Sequence, residues 1–253
     1  MCSMASQTLG TGRSCSAGSD GRPSIGCGWS LVDVRQDPVI TPAYSRHIDP
    51  TLPPLFGLDI ETDTTTDGLD PTVASIVAIA VSGAETDFVL DGPDEATMLL
   101  ELDALLEGLG DGVLVTWNGS GFDLPFIARR AHLLELSLGL SIWPDPTIAT
   151  HPEPRSGQLG RVRGRWYELG HIDGYLAYRS DVGRVLPVSC GLKSLARLVG
   201  LPLIEVDRSA IHLLSDSERR AYVASDATLA RVLVERRADA RRWIDHPMTV
   251  SGS

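Results

Sequence analysis

Alternating apolar and polar side chains open the ordered part of the chain. In FGLDIET, residues 56 to 62, Phe56, Leu58 and Ile60 alternate with Gly57, Asp59 and Glu61, the period of a half-buried strand. SIVAIAVSG (75 to 83) and TDFVLDG (86 to 92) predict two further strands joined by a Gly-Ala-Glu turn, which makes an antiparallel meander. The period then changes: Met98, Leu99, Leu102, Leu105, Leu106 and Leu109 recur at helical spacing between Asp94 and Gly110. An apolar run, GVLVTWN (112 to 118), follows as a buried strand, and a helix starts around Asp123 to Pro125, where proline costs no intrahelical donor. HIDGYLAY (171 to 178) reads as a short strand leading into a helix, and GLKSLARLVG (191 to 200) as a short helix closed by Gly200. Ser215-Asp216-Ser217-Glu218 is a capping box that opens a last helix running to about Trp243. Strands first, then strands alternating with helices, predict one α/β domain with a mixed sheet.

Residues 1 to 30 are rich in Ser, Gly and Thr and lack periodicity, as in a disordered segment or a mis-assigned start. Residues 31 to 53 read as an extended, proline-punctuated lead-in, so residues 1 to 53 are expected to form a disordered or extended N-terminal tail to a domain spanning 54 to 245. There is no internal repeat. No apolar run approaches the roughly 20 residues of a membrane span, and no basic start leads into a signal-peptide core, so the expected location is the cytoplasm, away from membranes. The four cysteines, Cys2, Cys15, Cys27 and Cys190, form no CxxC pair and lie at no zinc spacing, as expected of free thiols.

The formal charge of −11 argues against a broad, sequence-independent nucleic-acid binder. A narrow site that grips phosphate through metal ions is compatible with it. Asp59 and Glu61 project from one face of their strand, about 7 Å apart along the chain at ~3.3 Å per residue, as one chelating edge. The bare D-x-E pattern also fits strand-end carboxylates in salt bridges. The last helix adds weight, because Tyr222, Asp226, Leu229 and Leu233 fall on one stripe and place Asp226 toward the core, where a charge needs a partner. Arg219, Arg220 and Arg231 are near in sequence but project elsewhere on the helix. In TWNGSGFDLPFIARR (116 to 130), the Gly119-Ser120-Gly121 turn and Pro125 set Asp123 at a helix N-terminus, as a ligand or as a simple cap. Four acids on separate elements would repel by about 3 kcal/mol per pair at about 5 Å and an effective dielectric near 20. Divalent cations convert that repulsion into coordination, and a carboxylate-only donor set suits Mg²⁺ or Mn²⁺.

FGLDIET, WNGSGFDLPF and YVASD, in this order, resemble the three exonuclease motifs of the DEDD superfamily of 3′–5′ exonucleases, within the ribonuclease H-like fold. WNGSGFDLPFIARRA, HID and GLKSLARLVGLP look most like the proofreading domain of family B DNA polymerases and its stand-alone bacterial relatives. The resemblance covers residues 54 to about 236 and implies a mixed sheet flanked by α-helices, with the antiparallel meander joined to parallel strands. The DEDDh branch carries a His five residues before the final Asp, where this chain has Ala221; the DEDDy branch carries a Tyr four before, and Tyr222 is there. The resemblance therefore implies a DEDDy enzyme with two divalent ions. In it Asp59 would bridge both, Glu61 and Asp226 would complete the shell of the first, Asp123 would hold the second, and Tyr222 and Glu61 would orient the attacking water.

Such an enzyme would release nucleoside monophosphates from single-stranded or frayed DNA 3′ ends, alone or with a polymerase or repair partner in trans. An RNA-trimming exonuclease of the ribonuclease D kind shares the chemistry, and a nuclease-dead binding module is the distant rival. Asn118 and Phe122 are candidates to hold the terminal nucleotide by hydrogen bonding and stacking, or else serve the turn and the core. Between 155 and 184 arginines outnumber acids, with Trp166 and Tyr167 interleaved, so Arg163 and Arg165 are candidates for a strand-binding lip. A solvated loop is the alternative. Lys193, the sole lysine, is a candidate phosphate contact, and Asp173 is a candidate strand-end or accessory acid.

Overall fold

The computed structural model describes residues 52–92, 94–145 and 161–245. The expectation of a disordered tail lies outside the described residues except at positions 52 and 53. Strands β1 (Leu55–Thr62), β2 (Ile76–Ser82) and β3 (Asp87–Leu90) form the expected meander, with Gly57 opposite Ser82 and Asp59 opposite Ala80. Helix α1 (Glu95–Leu109) follows, its first turn capped by Asp94 accepting from the Thr97 amide. Strand β4 (Val113–Thr116) then returns parallel to β1, a crossover that one helix is long enough to make. Helix α2 (Asp123–Leu133) begins on Asp123.

A two-stranded antiparallel sheet, β5 (Leu140–Pro144) with β6 (Val162–Trp166), stands apart from the main one. The residue pattern had predicted only a basic segment here. Strand β7 (Gly170–Asp173) joins the far edge parallel to β4, giving the order β3-β2-β1-β4-β7. Short helices α3 (Gly174–Ser180), α4 (Val182–Val185) and α5 (Leu192–Leu198) lead through a 3₁₀ turn at Arg208–Leu213 into α6 (Asp216–Glu235). The capping box forms as predicted, Ser215 and Glu218 each bonding the other's amide. The predicted end near Trp243 is corrected: α6 stops at Glu235, and Ala240–Trp243 is a separate 3₁₀ turn. Leu233 and Val234 are the last core residues of the stripe, and Arg237 beyond them turns to ion pairs with Asp181 and Asp239.

The period-2 alternation of β1 divides the molecule into layers. Leu58 and Ile60 face α1 and α2 with Leu99, Leu102, Leu106 and Ile127. Leu55 faces the opposite layer, in which Leu195 of α5 and Leu229 and Leu233 of α6 are buried. On that side the sheet presents its smallest residues beneath α6: Ala78 and Ala80 pack against Val223 and Ala227. Gly57 lies directly below the helix, and a Cβ built on it would stand 1.9 Å from the Ala227 carbonyl oxygen. The helix axis can approach the sheet this closely only because no side chain intervenes.

Gly57→Ala is therefore expected to lift α6 from β1. Overpacking of this kind costs about 1–3 kcal/mol, and the clash with main chain places the expected loss at the upper end. Urea denaturation measures it; a change below about 0.5 kcal/mol, the range of an indifferent surface substitution, would contradict the close packing.

Candidate active site

Asp59 and Glu61 share the α6 face of β1 because side chains two apart on a strand point the same way. Asp226 descends to them from α6, one residue before the Ala227 that rests on Gly57. Carboxylate oxygens of Asp59, Glu61 and Asp226 all lie within 4.8 Å of one another, although the residues come from opposite ends of the domain. One turn earlier on α6, Tyr222 is buried, its hydroxyl reaching the Asp226 carboxylate and accepting from Arg208 Nε at 3.3 Å.

The electrostatic consequence is large. Burial, reinforced by Asp226, Glu61 and Asp123, pushes the Asp59 carboxyl well above its ordinary range. Burial and the neighbouring Asp226 push Glu61 up to about 8, against the opposing pull of Arg208. Asp226 is raised by burial and drawn back by Lys193, whose ammonium bonds it directly and sits 4.7 Å from the centroid of the Tyr222 ring. Burial, with Asp226 and Glu61 adding, raises the Tyr222 phenol, so that it keeps its proton. Lys193 is thus the partner that the Asp226 charge required. Arg231 bonds Ser82 and Glu235, Arg219 bonds Asp216 and Arg220 bonds Asp91.

Asp123 is the first residue of α2 and is buried, but it does not join the set of three carboxylates within mutual reach. It faces them electrostatically, raising Asp59 and Glu61, and its own carboxyl is pushed up to about 7 by burial while its own amide and that of Ile60 hold it down. The loop that delivers it is tightly folded. Asn118 adopts a left-handed φ of 69°, and a Cβ on Gly119 would fall 2.1 Å from Thr116 Oγ1. Asp173, at the end of β7, accepts from the amides of Asn118 (3.0 Å) and Ser120 (3.1 Å) and caps α3 through Leu176. Asp173 therefore pins the loop between β4 and α2, the structural role of a strand-end acid.

The remaining sequence candidates are distributed around this centre. The Asn118 side chain accepts from Arg161 at 3.2 Å, and Phe122 packs on the α1–α2 core with its ring 5.3 Å from that of Phe126. Arg163 pairs with Asp145 at 2.5 Å and Asp245 at 3.5 Å, while Arg165 lies 3.9 Å from Glu168. Of the basic segment 155 to 184, residues 155 to 160 lie outside the described residues. Arg161, part of the basic segment 155 to 184, is the cation on Asn118, and one residue escaped sequence reasoning: Arg208, the cation on Tyr222. A lone arginine in an irregular segment carries no periodic signal that would single it out.

The donor set offers oxygen alone, from groups whose burial, reinforced at Asp59 and Glu61 by the neighbouring acids, drives their proton affinity up. That is the chemistry of a hard divalent cation site. Among the described residues no helix is long and apolar enough to cross a membrane. Residues 56–210 match the family model described as RNase_H superfamily, more than half of the chain; the matched region ends before Tyr222 and Asp226. No curated protein matches the sequence. Among solved structures, the family B DNA polymerase of the hyperthermophilic archaeon Pyrobaculum calidifontis is similar in fold, with a TM-score of 0.53 and 16% identity over 72% of this chain and 24% of that one. The chain thus spans about a quarter of that polymerase's length.

A pH dependence follows from the raised carboxyls. Glu61 moves from 4.5 to about 8 and Asp123 from 3.8 to about 7, so the folded state holds protons that the unfolded chain has released. Their contribution is fully present below the unfolded values and is lost as pH rises through about 7 to about 8. In EDTA, Tm is expected to fall from about pH 5.5 to about pH 8.5, and Glu61→Gln to flatten the fall. A wild-type Tm that stays level or climbs across this window would contradict the electrostatics described.

Proposed function

The chain belongs to the RNase_H superfamily, and from that membership we propose that it is a metal-dependent 3′–5′ exonuclease of the DEDDy type acting on single-stranded or frayed DNA. The observation that carries the proposal is the convergence of Asp59, Glu61 and Asp226 within 4.8 Å, with Tyr222 one turn away. Three carboxylates at that separation, with Asp123 facing them, outnumber the two cations beside them, Lys193 and Arg208, so ion pairing alone does not balance the cluster. The domain responsible is assigned to residues 54 to 245.

In this reading Asp59, Glu61 and Asp226 would hold one divalent cation and Asp123, with Asp59, would help hold a second, Mg²⁺ or Mn²⁺ in each case. Divalent ions in such a pair supply a nucleophilic oxygen at neutral pH and offset the charge that develops on the leaving 3′ oxygen. The side chains do the rest. The Glu61 carboxylate, free of its proton once a cation is bound, and the protonated Tyr222 hydroxyl, held by Arg208, would orient the attacking water. Lys193, with its ammonium on Asp226, balances the acid cluster before a cation arrives and stands ready to meet a phosphate oxygen. Asn118 and Phe122, on the pinned loop, flank the terminal nucleotide.

With 5′-labelled oligonucleotides in Mg²⁺ or Mn²⁺, the expected product is a ladder shortened one nucleotide at a time from the 3′ end and abolished by EDTA. Recessed duplex, single-stranded DNA and single-stranded RNA, offered side by side, separate the DNA reading from an RNA-trimming one. Asp226→Asn is expected to lower turnover by about 10³ or more, and Tyr222→Phe by about 10–100-fold, as for loss of one oriented group. Binding without shortening, or full turnover in Asp226→Asn, would overturn the assignment.

A further inference from the structure

Beyond the carboxyl end of β7 the sheet opens into a cleft of about 740 Å³ lined by α3, α4, β6 and the segment after α6. Five arginines, Arg161, Arg163, Arg179, Arg184 and Arg242, face it together with Asp145, Asp173 and Asp245. The acids are already engaged. Asp145 and Asp245 hold Arg163, and Asp173 accepts from three main-chain amides. Among the described residues no carboxylate pairs with Arg161, Arg179, Arg184 or Arg242, and Arg161 Nη1 is buried with no hydrogen-bond partner. Two of the guanidiniums are held in place by one ring, Arg161 at 5.6 Å and Arg179 at 5.8 Å from the Tyr175 centroid. In a chain of net charge −11, four cations without acidic partners around one cleft are a local reversal of the field.

The position of the cleft matters as much as its charge. Strands β1, β4 and β7 are parallel neighbours, so the acid cluster at the end of β1, the Asn118 loop after β4 and the cleft after β7 lie along one sheet edge. Two strand spacings of ~4.8 Å put the cleft on the order of 10 Å from the acids. Arg161 joins the two regions, with one nitrogen on Asn118 Oδ1 and its guanidinium over Tyr175.

We propose that this cleft grips the backbone phosphates of single-stranded nucleic acid upstream of the 3′ terminus, feeding the strand to the acid cluster across the Asn118 loop. The inference rests on the nuclease reading for its direction of travel. Guanidinium forks match phosphate oxygens, and a cationic track beside a cluster of carboxylates draws in a polyanion that the rest of the surface repels. Arg163, committed to Asp145 and Asp245, frames the cleft, and the contacts fall to its unpaired neighbours.

The test is binding in EDTA, where no turnover occurs, by anisotropy of a fluorescent single-stranded DNA across a salt series. Arg179→Ala/Arg184→Ala removes two exposed guanidiniums, and Arg129→Ala/Arg220→Ala removes the same charge on α2 and at the β3 edge of the sheet, opposite the cleft. The cleft variant is expected to weaken binding by about tenfold or more and to lower the salt slope by about 1.4, at ~0.7 per phosphate contact on a single strand. The control variant is expected to change Kd by less than about threefold, since distant exposed charges are screened. Equal weakening in both variants, no weakening in the cleft variant, or no wild-type binding would overturn the proposal. Strand binding through the cleft without 3′ shortening in Mg²⁺ would sink the nuclease reading and leave the cleft standing; shortening with unchanged affinity would do the reverse.

Discussion

The close seating of α6 on β1 governs the rest of this structure. Gly57 admits the Ala227 carbonyl, Ala78 and Ala80 keep the adjoining surface shallow, and Asp226 is carried by that contact into reach of Asp59 and Glu61. Apolar packing thereby does work against electrostatics. The buried leucines of α6 supply a favourable term that grows with area, and part of it is spent holding like charges together. The protein shows the strain of this arrangement in the raised proton affinities of Asp59, Glu61 and Asp123, and its partial relief in Lys193 and Arg208.

A single architectural fact links acid cluster, loop and basic cleft. Three parallel strands end on the same side, and the carboxyl edge of such strands is where an α/β sheet presents loops and helix starts to a ligand. Asp173 serves this edge without touching the acids: by bonding the amides of Asn118 and Ser120 it fixes the loop that carries Asp123. His171, buried beside it, bonds Thr116 at 2.9 Å and Asp245 at 3.2 Å, tying the β4–β7 edge to the chain beyond α6. The acid cluster and the arginine-lined cleft are thus set on a common rigid support at different strands, which keeps opposite charges from cancelling.

Much of this was legible in the residues because it is local. Alternation marked β1 and the shared face of Asp59 and Glu61, helical spacing marked α1 and the Asp226 stripe, and Ser215 with Glu218 marked the start of α6. The β5–β6 pair escaped because LSIWP and VRGRW are five-residue strands with Pro144 at one end and arginines at alternate positions of the other, and they pair across a long separation. The end of α6 was misplaced because alanines and Trp243 continue an apolar signal after the last core contact. Lys193 was read as a phosphate contact, and its bond to Asp226 could not be seen: the pairing depends on how α5 lies against α6, which no spacing encodes. Arg163 looked like a free cation in sequence and is paired twice in space.

Without a metal the acid cluster relieves its repulsion by holding protons, with Glu61 raised to about 8 and Asp123 to about 7, and the proposed divalent cation would take the place of those protons. Anomalous diffraction from a crystal soaked in Mn²⁺ examines this directly. The expected result is a strong peak within about 2.0–2.3 Å of oxygens from Asp59, Glu61 and Asp226, the distance of a hard divalent ion from carboxylate. A map with no peak there, and the Lys193 ammonium still bonded to Asp226, would contradict it.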